Sequence, residues 1–317
     1  MFTLWTEKYR PQKFFEMKGQ EKIVERVAAM VTQKNLPNLL LAGPPGVGKS
    51  TLALVIAHEL FGEGWEQNFL ELNASDSRGI ETIRGIIKDF ARTKALGDVP
   101  YKIIFLDECD NLTKDAQQAL RRTMENFTHN VRFILSCNYS SKIMDPILSR
   151  CTVFRFQPLD FKALDQLIVD IATKENLIID DLAKKALIEL CEGDCRKVAN
   201  MLQSCAALDS TITEDIVYSL VSAARPQEIK LVLDHAIQGQ FLKSRELLLD
   251  TMLKYGLSGL DVIKQIQKEI WNLTLPDRTK LHLIETCGEI EFRMVEGSDE
   301  FVQLEALLSS CCLSQAA

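Results

Sequence analysis

The chain has 317 residues, of which 46% are hydrophobic and 26% are charged, a balance typical of globular proteins with buried cores. Its formal net charge of −7 excludes a generally basic protein that coats nucleic acid, so any such contact has to use a local patch. We expect no secretory signal in the first residues, MFTLWTEKYRP, and no membrane span, because no apolar run of about 18 residues occurs. Nine irregularly spaced cysteines favour a reducing cytoplasm.

The first half of the chain alternates apolar runs with segments of helical periodicity. The runs predict five strands, at residues 38–42, 68–72, 102–107, 131–137 and 152–156. The periodic segments predict helices at residues 49–61, 79–93 and 115–126. This alternation predicts an α/β domain with a parallel five-stranded sheet that is covered by helices on both faces.

The second half indicates helices alone, since no strand pattern follows Pro158. Short helices between residues 161 and 220 are interrupted at residues 193–194 and 210–213, and Pro226 marks a boundary. Longer amphipathic helices are predicted at residues 227–238, 242–255, 260–273 and 277–295, followed by one that runs through residue 313. We therefore predict domains at residues 1–158, 159–225 and 226–317, the last two helical.

The strongest motif is GPPGVGKS at residues 43–50, which fits G-x-x-x-x-G-K-[ST] between a predicted strand and a predicted helix. The backbone N–H groups of such a loop and the N-terminus of the next helix attract phosphate oxygens. Lys49 adds a full charge for the β- and γ-phosphates, and the Ser50 hydroxyl is a ligand for Mg²⁺. A glycine- and proline-rich turn is the alternative, but the complete pattern favours ATP and Mg²⁺.

A second motif, IIFLDEC at residues 103–109, is an apolar strand that ends in two carboxylates. We predict that Asp107 holds Mg²⁺, directly or through water, and that Glu108 orients and polarises an attacking water. A strand that runs into an acidic loop is common by itself, and the phosphate-binding loop upstream is what favours the catalytic interpretation.

Three further polar residues are weaker candidates, each with an ordinary structural alternative. Asn138 ends a predicted strand, where its amide can bond the attacking water or the γ-phosphate, or can simply belong to a turn. Arg150 is a candidate arginine finger for a neighbouring site, and a solvated surface arginine is the alternative. Arg196 follows Asp194, a candidate N-cap, and a cation in the first helical turn opposes the helix dipole, which hints at a phosphate contact.

The predicted helix at residues 79–93 has an apolar face and a basic line. The apolar face, which we expect on the sheet, comprises Ile80, Ile83, Ile87 and Phe90. The basic line comprises Arg84, Lys88 and Arg92, spaced four residues apart and suited to a phosphate backbone. With Glu81 and Asp89 nearby, the helix by itself favours an ordinary solvated face.

These motifs, in this order, resemble the AAA+ ATPases. Three strings look like the small subunits of replication factor C, the clamp loader, in its archaeal form: LWTEKYRP at residues 4–11, LNASDSRGIETIR at 72–84 and LSCNYSSKIMDPILSRC at 135–151. The likeness covers most of residues 1–225, whereas the C-terminal helices match mainly in length and helical character. It implies that the three predicted domains are a P-loop AAA+ domain, a helical lid and an all-α collar for oligomerisation.

The resemblance also implies residue roles. Asp107 and Glu108 match the acidic pair, Asn138 and Arg196 match two nucleotide sensors, and Arg150 matches a finger given to the adjacent subunit. DNA becomes the expected ligand of the basic line. The residues implied around ATP, the first three on the adenine side, are Tyr9, Arg10, Pro11, Gly43, Pro44, Pro45, Gly46, Val47, Gly48, Lys49, Ser50 and Thr51.

The predicted helix at residues 115–126 leaves some of its residues ambiguous. Arg121 and Arg122 either couple the acidic pair to DNA or to a neighbouring subunit, or are solvated. Met124, near the helix end, and Phe127, just beyond it, are candidate contacts for the clamp, and for Met124 a place in the core is an equal alternative.

In function, the resemblance implies an ATPase subunit that loads a ring-shaped sliding clamp onto primer–template DNA during replication. The expected partners are a large subunit and further small subunits in a hetero-pentamer, the clamp, and DNA without sequence specificity. The expected location is an archaeal cytoplasm near the nucleoid, or the nucleus if the source is eukaryotic. A DNA-translocating AAA+ motor is one alternative, against which LNASDSRGIETIR and SRC argue. An architectural subunit that binds ATP without hydrolysing it is another, against which the intact set of catalytic candidates argues.

Overall fold

A computed structural model describes residues 3–75, 80–97, 99–221 and 224–313, with the side chains of residues 80–84 left out. Its contacts divide the chain into two compact units, Met1–Thr211 and Ile212–Ala317. The domain bounds predicted at residues 158 and 225 stay predictions. In the described ranges, no helix is both long enough and apolar enough to span a lipid bilayer.

The first unit is built on a five-stranded sheet whose neighbours all run parallel, which confirms the predicted fold class. Its strands are β1 (Leu39–Ala42), β2 (Phe69–Asn73), β3 (Lys102–Asp107), β4 (Val131–Cys137) and β5 (Thr152–Arg155). They lie in the order β2-β3-β4-β1-β5. Leu39, Leu40 and Leu41 are fully buried, as expected of a central strand that is covered on both faces. The carboxyl ends of β1, β3 and β4 therefore meet at one edge, where α/β sheets bind ligands.

Helices of the first unit connect and cover these strands. They are α1 (Trp5–Lys8), α2 (Glu21–Thr32), α3 (Lys49–Phe61), α4 (Ile80–Arg92), α5 (Lys114–Asn126), α6 (Asp145–Leu148), α7 (Phe161–Glu175), α8 (Asp181–Cys191) and α9 (Cys195–Ala206). Helix α3 begins at Lys49, directly after the glycine-rich loop, and buries Leu52 and Ile56 completely. Helix α9 begins after Asp194, whose side chain accepts from two backbone N–H groups of the first turn, so the predicted N-cap is confirmed.

Two short strands overturn the prediction that no strand follows Pro158. They are β6 (Ile178–Ile179) and β7 (Thr211–Ile212), two residues each. The backbone N–H of Ile178 donates to the carbonyl of Ser210 at 3.0 Å. A two-residue strand is too short to show the alternation by which strands are predicted, so the sequence pattern could not reveal it.

One apolar cluster of the first unit lies between the sheet and helices α4 and α5. Ile87 of α4 and Met124 of α5 belong to it, at 5% and 2% exposure, and Phe127 packs against it, partly buried. The core alternative is therefore right for Met124, and its side chain is not free to contact a clamp. The predicted apolar face of α4 is confirmed for Ile87 and Phe90, whereas the side chains of Ile80 and Ile83 lie outside the described residues.

The second unit is helical from residue 214 onward. Its helices are α10 (Glu214–Val221), α11 (Pro226–Ile237), α12 (Phe241–Tyr255), α13 (Gly259–Ile270), α14 (Asp277–Val295) and α15 (Glu300–Leu313). Helix α13 buries Ile263, Ile266 and Ile270 along one face, as its periodicity predicts. Ser258 and Asp261 form a reciprocal capping box that fixes where this helix begins.

Candidate functional site

A cleft of about 560 Å³ opens at the carboxyl edge of the sheet, entirely within the first unit. Its walls come from the glycine-rich loop, the acidic pair, the N-terminal segment, and helices α7 and α9. A cleft of this size is in the range of small-molecule sites. The sequence motifs and the cavity therefore coincide.

The glycine-rich loop is fixed against the start of helix α9. Gly46 has φ of +70°, and a Cβ at this position would lie 1.8 Å from Oδ1 of Asp194. The backbone N–H of Cys195 donates to the Gly46 carbonyl at 2.9 Å. Residue 46 thus needs a glycine both for its left-handed backbone and for the close approach of α9.

Lys49 is the first residue of α3 and lies directly after the loop, with only 8% of its surface exposed. Its ammonium donates to the carbonyls of Gly43 and Pro44 at 2.6 and 2.7 Å, and to Oδ1 of Asn138 at 3.1 Å. Burial lowers the pKa of this ammonium from its ordinary value, and the charge of Asp107 partly opposes that effect. The amide at the end of β4 and the loop cation therefore belong to one polar cluster.

Two oxygen-bearing side chains meet beside this cluster. The Ser50 hydroxyl donates to Oδ2 of Asp107 at 2.9 Å, and Oδ1 of Asp107 accepts from the backbone N–H of Glu108 at 2.9 Å. A hydroxyl and a carboxylate at this separation suit Mg²⁺, which prefers oxygen ligands and takes few of them from the protein. The residues present therefore fit the ion that the motifs imply.

Glu108 has a left-handed backbone, with φ of +53°, at the point where β3 gives way to a short 3₁₀ helix, Cys109–Asn111. Its carboxylate accepts from the side-chain amide of Asn111 at 3.3 Å. An uncommon backbone conformation in a non-glycine residue is often found at functional sites. Here Glu108 lies at the N-terminal end of that 3₁₀ helix and lines the cleft.

The N-terminal segment closes one side of the cleft, and sequence reasoning missed what holds it there. Tyr9, one of its cleft-lining residues, donates from its hydroxyl to Glu175 at the end of α7, and Lys8 donates to the same carboxylate at 2.6 Å. Helix α7 itself contributes Leu167, Ile171 and Lys174 to the lining, none of which the motifs indicated. A signal was present, since an apolar stripe on α7 predicts a buried face, but it does not say what that face covers.

Most of the predicted ATP-site residues share the cleft. The predicted residues that line it are Tyr9, Arg10, Pro11, Pro45, Gly46, Val47, Gly48, Lys49, Ser50, Thr51, Asp107, Glu108, Asn138 and Arg196. Gly43 and Pro44 are not among the lining residues of the described chain, and they contribute the carbonyls that Lys49 contacts. Arg196 lines the cleft from the first turn of α9, and its backbone N–H is held by Asp194 at 2.8 Å.

Arg150 is the exception among the catalytic candidates. It is not one of the residues that line the cleft of the described chain, and it follows α6 on the surface. Its guanidinium contacts the carboxylate of Glu125 on α5, which also accepts from Nε of Arg121. The structure therefore brings Arg150 to Glu125, away from its own phosphate loop.

The predicted DNA-contacting residues are also outside the cleft lining of the described chain. Lys88 is exposed on α4, and Arg92 is exposed with a loose 3.7 Å contact to Asp89. The side chain of Arg84 lies outside the described residues. Arg122 is exposed on α5. The basic line thus stays a prediction, supported by two solvent-accessible cations.

Comparison with known families matches both units of the chain. The model described as ATPase family associated with various cellular activities (AAA) matches residues 39–159. A second model, described as Replication factor C C-terminal domain, matches residues 224–310. The phosphate-binding loop and the acidic pair both fall inside the first match.

Curated relatives match almost the whole chain. A replication factor C small subunit of Methanococcus maripaludis is 52% identical over 305 residues, which are 96% of this chain and 97% of that protein. The replication factor C small subunit of Thermofilum pendens is 50% identical, over 98% of this chain and 96% of its own length. That of Archaeoglobus fulgidus is 46% identical, over 97% of this chain and 97% of its own length.

Solved structures of the Thermotoga maritima RuvB Holliday junction branch migration motor share the fold. One has a TM-score of 0.56 and 22% identity, and covers 72% of this chain and 79% of its own. A mutant of the same protein has a TM-score of 0.58 and 20% identity, over 97% of this chain and 91% of its own. At such low identity these similarities establish the fold alone.

Proposed function

This chain belongs to the replication factor C small-subunit family and is an AAA+ ATPase, and we propose from this premise that its cleft hydrolyses ATP at a joint with a neighbouring subunit. The neighbouring subunits belong to a clamp loader, which places a sliding clamp on primer–template DNA during replication. One observation carries the proposal: Lys49 with Asn138, and Ser50 with Asp107, are hydrogen-bonded pairs in a single cleft.

ATP binding follows from the charge and shape of the cleft. The loop N–H groups and the N-terminus of α3 face phosphate oxygens, and Lys49 neutralises the β- and γ-phosphates. Ser50 and Asp107 are the residues that would hold Mg²⁺, which when bound neutralises charge that develops on the phosphates. Tyr9, on the N-terminal wall, lies on the adenine side.

Hydrolysis is assigned to Glu108 and Asn138. Glu108 orients and polarises the attacking water, and Asn138 holds that water or the γ-phosphate through its amide. Asn138 already bonds the ammonium of Lys49 at 3.1 Å, which supports a position beside the terminal phosphate. Arg196 reports the state of the nucleotide to the lid, since its helix is joined to the phosphate loop through Cys195 and Gly46.

Arg150 completes the site of the adjacent subunit rather than its own. Its absence from the cleft lining of its own described chain supports this assignment. In the ATP-bound assembly the guanidinium contacts the neighbour's γ-phosphate and stabilises the charge of the transition state. Hydrolysis removes the phosphate that Arg150 and Arg196 grip, so the joint loosens and the assembly releases its clamp and DNA.

Partners follow from the same proposal. The assembly is a hetero-pentamer of several small subunits with one large subunit, located in an archaeal cytoplasm near the nucleoid. DNA lies along the basic line of α4, where phosphate contacts fix position without reading sequence. Exposure of Lys88 and Arg92 supports this placement.

The test is phosphate release from the chain alone and from the assembly with its partner subunits, the clamp and primed DNA. The wild-type assembly should hydrolyse ATP faster when clamp and DNA are added. Arg150→Ala should keep ATP affinity but reduce assembled turnover by about 10³-fold, the magnitude typical of a lost arginine finger. A fully active Arg150→Ala assembly would refute the finger in trans.

A DNA-translocating motor is distinguished by the same preparation. The similarity to RuvB supports a shared fold and does not by itself support a motor function. Relatives at about 50% identity over nearly the whole chain are replication factor C small subunits. ATP-driven movement of a DNA junction in the absence of any clamp would favour the motor. Clamp-dependent turnover favours the loader.

A further inference from the structure

Glu125 lies on the last turn of α5, and one of its carboxylate oxygens accepts hydrogen bonds from two arginines. Its Oε1 accepts from Nε of Arg121 at 3.1 Å and from a terminal guanidinium nitrogen of Arg150 at 2.5 Å. Arg121 precedes Glu125 by four residues on the same helix, so helical geometry alone brings these two together. Arg150 is 25 residues further along the chain, so its contact with Glu125 depends on tertiary structure.

The guanidinium of Arg150 has a second anchor on α6, the short helix that precedes it in the chain. Its other terminal nitrogen donates to the carbonyl of Pro146 at 2.6 Å and has a longer contact of 3.4 Å with the Ser149 hydroxyl. An arginine has five N–H donors in a rigid planar fork. These contacts use at most three of them, so at least two are left for another acceptor, counted over the part of the chain that the structure describes.

The pairing contributes little to the stability of the fold. Both side chains remain partly in solvent, 35% exposed for Arg150 and 38% for Glu125, and ion pairs at such exposure are weakly stabilising. The contacts with Glu125 and Pro146 instead restrict the long, flexible side chain of Arg150, because each holds one terminal nitrogen of its guanidinium. A cation that is already oriented loses less conformational freedom when it binds phosphate.

We propose that Glu125 is a positioning residue for the arginine finger, and that Arg121 in turn fixes Glu125. The carboxylate and the Pro146 carbonyl hold the Arg150 fork on the protomer surface, with its free donors directed to the γ-phosphate of the adjacent subunit. This inference rests on the proposed function, because it matters for catalysis if Arg150 acts in trans. It adds Glu125 and Arg121 to the residues that set the turnover of a neighbour's site.

The test replaces Glu125 in the assembled complex, with partner subunits, clamp and primed DNA present. Glu125→Ala should lower kcat about tenfold, since a misplaced catalytic group is costly even when it is intact. Glu125→Gln, which keeps an acceptor but loses the charge, should lower kcat less. The KM for ATP and the affinity of the isolated chain for a fluorescent ATP analogue should stay within twofold, because Glu125 lies outside the nucleotide cleft.

A matched control and a second background separate positioning from a general structural effect. Asp165→Asn breaks another partly exposed ion pair of the first unit, Lys184 with Asp165 at 3.4 Å, and should leave kcat unchanged. Arg150→Lys replaces the planar five-donor fork by a compact ammonium on a shorter stem. In that background Glu125→Ala should have no further effect, because no fork is left to be oriented. If Glu125→Ala lowered kcat equally in the wild-type and Arg150→Lys backgrounds, Glu125 would have only a structural role and the inference would be overturned.

The possible outcomes separate the role of Glu125 from the proposed function of Arg150 as an arginine finger. If Arg150→Ala is inactive while Glu125→Ala equals the wild type or exceeds it, Glu125 does not position the finger and the finger itself stands. If Arg150→Ala retains full activity, both the finger and its positioning residue are overturned. Loss of kcat in Glu125→Ala that disappears in the Arg150→Lys background supports both.

Discussion

The hydroxyl of Ser50 donates a 2.9 Å hydrogen bond to Oδ2 of Asp107 and so joins the first turn of α3 to the end of β3. The two residues are 57 positions apart in the chain. They meet because β1, which leads into α3, and β3 are parallel strands whose carboxyl ends lie at the same edge of the sheet. Two oxygen-bearing side chains that suit one cation thus come from two separate motifs.

Replacing Ser50 tests this pairing. Ser50→Ala removes one oxygen ligand and should lower kcat/KM for ATP hydrolysis by about 100-fold, because less charge is neutralised in the transition state. Ser50→Thr keeps the hydroxyl and should retain most of the activity. Steady-state phosphate release at a series of Mg²⁺ concentrations measures both. Equal activity of the Ala and Thr variants would contradict a role of this hydroxyl in holding the ion.

Gly46 tests the contact between the phosphate loop and α9. Gly46→Ala should destabilise the fold by about 2–4 kcal/mol, because it adds a collision with Asp194 to the cost of a left-handed alanine. Gly64 is a matched control, since it has a left-handed backbone with φ of +76° and no atom lies within 4 Å of a Cβ built there. Gly64→Ala should therefore cost about 1 kcal/mol, the backbone term alone. Chemical denaturation of both variants, monitored by fluorescence, compares the two losses.

Lys88 tests the basic line of α4. Lys88→Glu should weaken binding of primed DNA about fivefold at moderate salt and lower DNA-stimulated turnover, since one phosphate contact is lost and a repulsion is added. ATP affinity should not change, because Lys88 is not among the cleft-lining residues of the described chain. Lys185→Glu, at an exposed position of α8 in the same unit, is the charge-matched control. Identical DNA stimulation in the two variants would exclude Lys88 from the DNA face.

Glu175 tests the attachment of the N-terminal segment through its pH dependence. The hydrogen bond from Lys8, and then the one from Tyr9, hold the pKa of Glu175 below its ordinary value of 4.5. A lowered folded-state pKa means that the stabilisation is complete above pH 4.5 and is lost as pH falls through the folded-state value. Glu175→Gln should therefore lower Tm by about 1–2 °C at pH 7.

The difference in Tm between the wild type and Glu175→Gln should shrink as the pH is lowered below 4.5. Differential scanning calorimetry of both proteins across this range measures it. A difference that stayed constant, or grew, at acid pH would show that the carboxylate charge does not hold the N-terminal segment.

The sequence by itself determined the strands of the five-stranded sheet and indicated the chemistry of the phosphate loop. Apolar runs predicted all five strands of the sheet to within one residue at either end, because strands covered on both faces have to be apolar along their length. The motif GPPGVGKS at residues 43–50, followed by Asp107 and Glu108 at the end of a later strand, was enough to predict a phosphate-binding site with an acidic pair. Where a signal is local, as in the N-cap at Asp194, prediction from sequence was also right.

Tertiary structure alone decided which distant residues meet. The contact between Gly46 and the start of α9, the attachment of Tyr9 to Glu175, and the placement of Arg150 on Glu125 join parts of the chain that no periodicity connects. Hydrogen bonds and van der Waals contacts extend a few ångströms, so their partners are set by how helices pack on the sheet. A sequence pattern indicates whether a residue will be buried or exposed to solvent. It does not indicate which distant residue will contact that residue in the folded protein.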